Sequence, residues 1–120
     1  MIQHVVLFRP RATLSASERE ALISSLKAAV SGIPTIKRTT IGTRILLNRP
    51  GYETQMAEHF EYSAILEFDS EADLRAYLDH PAHTELGNRL FASAEAVLAY
   101  DFYSAEPEHM FRILENPGTR

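Results

Sequence analysis

Five histidines supply most of the reactive side chains in this sequence: His4, His59, His80, His83 and His109. The sequence contains no cysteine, so a thiolate nucleophile and a thiolate metal site are excluded. Imidazole gains and loses a proton near neutral pH, which suits it to general acid–base catalysis. The histidines are therefore the first candidates for a functional site.

His4 lies inside an apolar segment, between Ile2 and Val6 on one face of a predicted strand. Burial disfavours the charged form of an imidazole and leaves it as a neutral base or hydrogen-bond acceptor. A core histidine bonded to a neighbouring backbone carbonyl explains the same position. The sequence leaves both interpretations open.

The densest group of polar candidates is the segment Tyr77-Leu78-Asp79-His80-Pro81-Ala82-His83. It joins two predicted helical pieces, and ligands are often bound at such junctions. The spacing of His80 and His83 resembles a pair of metal ligands, with nearby carboxylates as further ligands. However, Pro81 breaks the helical register and no third strong ligand is evident. We therefore expect no bound metal. On the interpretation without a metal, His80 caps a helix end and His83 faces inward.

Other motifs carry less information. Four acidic residues lie at a strand end and in a first helical turn, where they interact favourably with the helix dipole: Glu67, Asp69, Glu71 and Asp73. The sequence has neither a glycine-rich phosphate loop nor a G-x-S-x-G motif, so nucleotide binding and common serine hydrolase chemistry lack support. Large aromatic residues suit either a core or a pocket lining: Phe8, Phe60, Tyr62, Tyr77, Phe91 and Tyr100.

Length and charge narrow the class of protein. The chain has 120 residues, which is the size of one domain. Its 12 Lys and Arg against 16 Asp and Glu give a net charge of −4, which argues against binding of nucleic acid. No apolar run is long enough for a membrane span and no signal peptide is recognisable. With no cysteine as well, we expect a cytoplasmic protein without a membrane partner.

The predicted elements follow the order β-α-β-β-α-β. The predicted strands are residues 2–8, 35–47, 60–68 and 97–103, and the predicted helices begin near Ser15 or Ser17 and at Ser70. Gly42 is expected to form a β-bulge, and residues 48–59 a loop long enough to cover a site. After Ser104 comes a tail with a short helix, so we expect one domain over residues 1–104 and a C-terminal tail over 105–120.

This order, with right-handed crossovers, predicts an α+β fold of the ferredoxin-like split βαβ type. A four-stranded antiparallel sheet then carries both helices on one face. If His4 points toward the helices, the apolar Val5 and Leu7 point away from them. That second face needs a cover, most simply a second copy of the chain, so we expect a homodimer.

Five segments follow one another in a characteristic order along the chain: Ile2-Gln3-His4-Val5-Val6-Leu7-Phe8-Arg9, Ile33-Pro34, Phe68-Asp69-Ser70-Glu71, Tyr77-Leu78-Asp79-His80-Pro81-Ala82-His83 and Tyr100-Asp101-Phe102. This ordered set resembles the stress-responsive α/β-barrel domain (Dabb) family, a group of dimeric α+β barrels within the ferredoxin-like fold. The resemblance runs from residue 2 to about residue 103. Residues 48–59 and the tail after Ser104 look like additions to the pattern of this family.

The resemblance implies roles for particular residues. Some members are plant stress proteins, and one plant member is a cyclase that closes a linear polyketide by an aldol reaction without a cofactor. Its pocket is lined by a histidine on the first strand, a tyrosine on the second helix and the last histidine of a His-Pro-Ala-His segment. His4, Tyr77 and His83 occupy the matching positions, with His83 implied as the base and Tyr77 as its partner. The cyclase has a further histidine where this chain has Ala64.

Two functional hypotheses follow from the sequence. The first is a cofactor-free cyclase, lyase or isomerase that acts on a carbonyl or polyketide-like small molecule, with His4, Tyr77 and His83 as catalytic residues. Its expected substrate-binding residues are Phe8, Tyr62, Ala64, Leu66 and His80. The second is a non-catalytic stress-responsive binding or stability protein in which these residues only pack, since fold alone does not decide activity.

Overall fold

The computed structural model describes residues 1–118, so the last two residues of the predicted tail lie outside the described part of the chain. The elements are β1 (Ile2–Pro10), α1 (Ala16–Gly32), β2 (Arg38–Thr43), a 3₁₀ turn (Glu53–Gln55), β3 (Tyr62–Phe68), α2 (Glu71–Asp79), α3 (Pro81–Ser93), β4 (Ala94–Tyr103) and α4 (Pro107–Glu115).

The four strands form one antiparallel sheet in the order β2-β3-β1-β4. Strands β1 and β3 are central, and the crossovers through α1 and through α2 with α3 connect them to the edge strands. The predicted α+β, ferredoxin-like fold is therefore confirmed.

The inner face of the sheet carries the core. Alternation along β1 puts Ile2, His4 and Phe8 on this face, where all three are buried. The core cluster joins this face of the sheet to the helices and contains Ile2, Ala29, Ile33, Leu66, Phe68, Leu74 and Tyr77. The sequence pattern thus places His4 on the buried side, toward the helices.

The outer face of the sheet is apolar as well. Val5 pairs with Tyr100 and Leu7 pairs with Leu98, so these side chains lie next to one another away from the helices. Tyr100 and the neighbouring Phe102 are 57% and 52% exposed. The expectation that Val5 and Leu7 share a face opposite His4 is confirmed.

The helix starts follow the predicted capping chemistry. The Glu18 backbone N–H donates to Ser15 Oγ at 3.2 Å, and the Ser15 N–H donates to Glu18 Oε1 at 3.0 Å. This reciprocal capping box begins α1, and Ser17 is not used as the cap. Ser70 caps α2 by accepting from the Asp73 N–H at 3.1 Å. No helix in residues 1–118 is long and apolar enough to cross a membrane.

Strand β2 is shorter than predicted and contains no bulge at Gly42. Its neighbour β3 begins at Tyr62, which pairs with Thr43, so the residues after Thr43 have no strand beside them. Beyond this pair, the Arg44 N–H donates to the Glu61 carbonyl. Gly42 pairs regularly with Ser63, and a Cβ there would meet Ser63 Oγ at 3.0 Å. Close approach of the two strands, and not a bulge, accounts for this glycine.

Residues 44–61 form an ordered segment on the outer side of the sheet. The Glu53 carboxylate accepts backbone N–H bonds from Leu47, Asn48 and Arg49, which fixes the turn. Arg9 then donates to Glu58 at 2.9 Å and holds the returning chain. None of residues 48–59 lines the cavity between the inner face and the helices, and Arg9, which alternation along β1 places on the outer face, binds Glu58 and His59. In this structure the segment therefore does not cover the site as predicted.

Candidate functional site

A cavity of about 720 Å³ lies between the inner face of the sheet and helices α1 and α3. Helix α1 packs chiefly against α3 and leaves space above the strands. In the middle of the floor, Val6 is flanked by Ala64 and Ala99, whose small side chains leave that space unfilled. The volume falls within the range typical of small-molecule sites, about 300–1,000 Å³.

One end of the cavity is polar because His4 meets Asp101 there. The two residues are directly paired across β1 and β4, and His4 Nδ1 donates to Asp101 Oδ1 at 2.6 Å. His4 is buried, whereas the Asp101 side chain is 44% exposed. The carboxylate fixes the orientation of the ring and leaves Nε2 as the second polar atom of His4.

Tyr77 lies beside His4 at this end and is 2% exposed. The ring centroids of Tyr77 and His4 are 5.6 Å apart in an edge-on arrangement, and Phe68 contacts the same phenol ring at 5.2 Å. Burial is the main cause that raises the pKa of Tyr77 to about 12, and the negative charge of Asp101 acts in the same direction. Tyr77 therefore keeps its proton at neutral pH and can donate a hydrogen bond.

His83 completes the polar end. Its ring lies 4.6 Å from that of Tyr77, measured between centroids, and its Nδ1 donates to the Leu78 carbonyl at 3.1 Å. This bond assigns the proton to Nδ1, so Nε2 holds a free lone pair. Burial lowers the pKa of His83, the Leu78 bond opposes this effect, and the charge of His4 lowers the pKa further. A neutral imidazole with one free nitrogen is the form that acts as a base.

The structure thus brings His4, Tyr77 and His83 together at one end of the cavity. Among the residues predicted to contact a substrate, the structure places Phe8, Tyr62, Ala64 and Leu66 in the cavity lining. Tyr62 lies at the start of β3, beside Phe8, with 6.3 Å between the two ring centroids. These positions follow directly from the period of two along each strand.

His80 is the exception, since it does not line the cavity. Its Nδ1 accepts the Ala82 N–H at 3.0 Å and caps α3, which starts at Pro81. The capping bond points the ring at the helix end, so the expectation that His80 contacts substrate is corrected. His59 and His109 lie outside the cavity too, on the segment 44–61 and on α4.

Several functional positions were not predicted from the sequence. Asp101 is the most important of them. A signal for it was present in the sequence, because Asp101 is an acidic residue on the inner face of β4, which it shares with Val97, Ala99 and Tyr103. The helical walls were missed because their leucines fit an ordinary core stripe: Leu22, Leu26, Leu86 and Leu90. Arg19 also lines the cavity.

The described residues contain no group of three or more His, Asp or Glu side chains arranged to hold a metal ion. His80 Nδ1 accepts from the Ala82 N–H of α3, and His83 Nδ1 donates to the Leu78 carbonyl of α2, so the backbone engages both nitrogens. The chemistry that these side chains themselves support is proton transfer and hydrogen bonding in a largely apolar cavity.

The fold and site define a class of small α+β proteins with a ferredoxin-like sheet and a ligand-sized cavity beneath its helices. The sequence model of the stress responsive A/B barrel domain family, Dabb, matches residues 2–110. The chain belongs to this family, as its sequence resemblance implied. Among curated proteins, no match to the sequence was found.

Solved structures share the fold over most of the chain. A dimeric ferredoxin-like protein of unknown function from Thermobifida fusca is 25% identical, with a TM-score of 0.65 over 86% of this chain and 90% of its own. A hydroxynitrile lyase from Passiflora edulis is 19% identical, with a TM-score of 0.73 over 88% and 94%. A cofactor-independent oxygenase from Streptomyces nogalater is 16% identical, with a TM-score of 0.62 over 88% and 93%.

Proposed function

We propose that this protein is an enzyme of the cyclase, lyase or isomerase type that uses His83 and Tyr77 as an acid–base pair on the carbonyl group of a largely apolar small molecule. The observation that carries the proposal is the position of the two rings, 4.6 Å apart between centroids at the polar end of the cavity. A base and a hydrogen-bond donor side by side are what enolate formation requires.

His83 is the proposed base. Its Nδ1 proton is committed to the Leu78 carbonyl, so Nε2 is the nitrogen that accepts a proton from substrate. The lowered pKa keeps the imidazole neutral at physiological pH and ready to accept. The proton comes from the carbon next to the substrate carbonyl, and the electron pair of the broken C–H bond moves into an enolate.

Tyr77 is the proposed donor to the enolate oxygen. Its pKa of about 12 means that the phenol stays protonated while the charge on that oxygen develops. In a substrate with a second carbonyl, the enolate carbon attacks that carbonyl carbon and forms a ring. The resulting alkoxide takes back the proton held by His83, so the reaction balances without any further reagent.

His4 and Asp101 are proposed to complete the polar end. The bond from Nδ1 to the Asp101 carboxylate fixes the orientation of the His4 ring, so Nε2 is the atom of His4 that is left to bind a polar group of the substrate. A hydroxyl on the substrate suits this position, because it can both donate and accept a hydrogen bond. We therefore assign His4 a substrate-orienting role and Asp101 the role of a positioning residue.

Two neighbours support this class of function through their names. One is named a hydroxynitrile lyase and another a cofactor-independent oxygenase, so enzymes with small-molecule chemistry share this fold. Both are under 20% identical to the chain, and their own reactions are not transferred to it.

The test is proton exchange on a simple carbonyl probe. Methyl nonyl ketone is incubated with the native protein in D₂O, and NMR follows deuterium entry at the carbons beside the carbonyl. We expect exchange far faster than in a solution without protein. If the ketone binds but its exchange is not accelerated, the non-catalytic binding protein becomes the better account of the cavity.

We also propose that the protein is a homodimer that packs the outer faces of two sheets together. Tyr100 and Phe102 on that face are more than half exposed, and water contact of this kind is costly for a stripe of large apolar residues. Two of the structural neighbours are described as dimeric ferredoxin-like proteins.

A further inference from the structure

Arg19 is the only lysine or arginine among the described residues that line the cavity. It lies on α1, near the start of the helix. The two histidines and the one carboxylate among these described lining residues, His4, His83 and Asp101, lie at the polar end.

Arg19 lies at the end of the cavity opposite His83. On the floor, Phe8 is four residues beyond His4 along β1, which is about 14 Å in an extended strand. On the roof, Ala29 belongs to the core cluster with Tyr77, and Arg19 precedes it by ten residues of α1, about 15 Å along a helix. The cavity is therefore elongated, with an acid–base pair at one end and a cation at the other.

No carboxylate of the described residues forms an ion pair with Arg19. The neighbouring arginines differ in this respect. Arg9 contacts Glu58 and Glu95, and Arg11 contacts Glu18 at 2.7 Å. The guanidinium of Arg19 thus keeps its fork of N–H donors available for a ligand.

The walls between the two ends are apolar. The central layer of the floor is Val6, Ala64 and Ala99, and α1 adds Leu22 and Leu26 from above. Ser63, next to Ala64, is the one hydroxyl residue among the described lining residues near this middle part, and the others there are apolar. A ligand that fills the cavity therefore needs an aliphatic or aromatic middle section.

We propose that the substrate is an elongated amphiphile with an anionic group, a carboxylate or a phosphate, which Arg19 binds. This inference rests on the proposed function, because it places the anion at the Arg19 end of the cavity and the reacting carbonyl at the other end, beside His83. Arginine suits both anions, since its planar fork matches two oxygens of either group. Arg19 is then a specificity-determining residue and takes no part in proton transfer.

The experiment is calorimetric titration with three chains of equal length: decanoate, decyl phosphate and decanol. Each is titrated below its micelle concentration into native protein, Arg19→Gln, Arg19→Lys and Lys27→Gln. Lys27 is the matched control, because it is an exposed cation on the same helix that does not line the cavity. Removing either cation changes the net charge of the protein equally.

We expect native protein and Lys27→Gln to prefer an anionic chain over decanol by about fivefold or more, the scale of a single exposed ion pair with charge-assisted hydrogen bonds. Arg19→Gln abolishes that preference and leaves decanol binding unchanged, and Arg19→Lys restores part of it. The anion with the larger Arg19-dependent gain identifies the headgroup.

A preference that survives in Arg19→Gln overturns the inference, because the anion is then bound elsewhere, for example by the histidines. Equal binding of all three chains to native protein overturns it as well, while the proposed function stands. If none of the chains binds to the native protein, the inference fails, and the ketone exchange assay decides separately whether the proposed function stands.

Discussion

Tyr77 and His83 face each other at 4.6 Å between ring centroids although a helix boundary separates them in the chain. In one continuous α-helix, residues six positions apart differ by about 240° around the axis and cannot share a face. The chain instead ends α2 at Asp79 and starts α3 at Pro81, with His80 between them. The break in the helix is what brings both rings to the cavity.

The His80 cap is therefore expected to matter for stability and not for ligand binding. His80→Ala removes the acceptor of the Ala82 N–H and should lower the free energy of unfolding by about 1 kcal/mol. His80→Asn, which retains a capping side chain, should recover most of this loss. Urea unfolding measures both variants. Loss of decanoate binding in His80→Ala at unchanged stability would return His80 to the substrate contacts.

The ketone exchange rate should depend on pH through His83. The base is active when neutral, so the rate falls as pH drops through the pKa of His83, which burial places below 6.5. On the alkaline side, the pKa of Tyr77 is about 12, so ionisation of the phenol does not lower the exchange rate until the pH approaches that value. Measuring the ketone exchange rate from pH 4 upward, in steps of roughly one pH unit, checks this profile. A half-maximal rate above pH 6.5 contradicts the assignment of a buried neutral base.

The charge of Asp101 should be visible in the titration of Tyr77. Asp101→Asn removes a negative charge that raises the pKa of Tyr77, so that pKa should fall from about 12 but stay above 10 because burial is the larger cause. Ultraviolet absorbance of the phenolate, compared with the same variant carrying Tyr77→Phe, isolates this one tyrosine. An unchanged titration would show that the charge of Asp101 does not act on Tyr77.

Charge on the outer face of the sheet should separate the subunits. Tyr100 pairs with Val5 in the middle of that face, so Tyr100→Glu places a carboxylate where two sheets are proposed to pack. Light scattering should report a dimer for native protein and a monomer for the variant. Ala28→Glu adds the same charge on the exposed side of α1 and should remain dimeric. A monomeric native protein would refute the sheet-to-sheet dimer.

The ferredoxin-like fold and the position of His4 opposite Val5 and Leu7 could be predicted because they depend on local periodicity and handedness. Alternation along β1 and β3 and the caps at Ser15 and Ser70 are short-range signals. The pairing of His4 with Asp101 depends on register between strands 97 residues apart in sequence, which no local pattern specifies.

The failures have the same origin. Residues 45–47 have strand-like composition, but β3 begins too late to pair with them, so tertiary context overrides propensity. His80 has the side chain of a ligand-binding residue and the position of a helix cap, and only the bond to the Ala82 N–H distinguishes the two roles. The place of residues 48–59 depends on Glu53 and on the Arg9–Glu58 contact, which sequence spacing does not reveal.

The most direct test of the central claim compares His83→Ala with His59→Ala in the ketone exchange assay. His59 is an exposed histidine outside the cavity, so its loss controls for the removal of an imidazole. We predict that His83→Ala lowers the exchange rate by about 10²–10⁴, that Tyr77→Phe lowers it less, and that His59→Ala leaves it unchanged. Thermal unfolding should confirm that all three variants are folded. A folded His83→Ala protein that exchanges the ketone at the native rate contradicts the account.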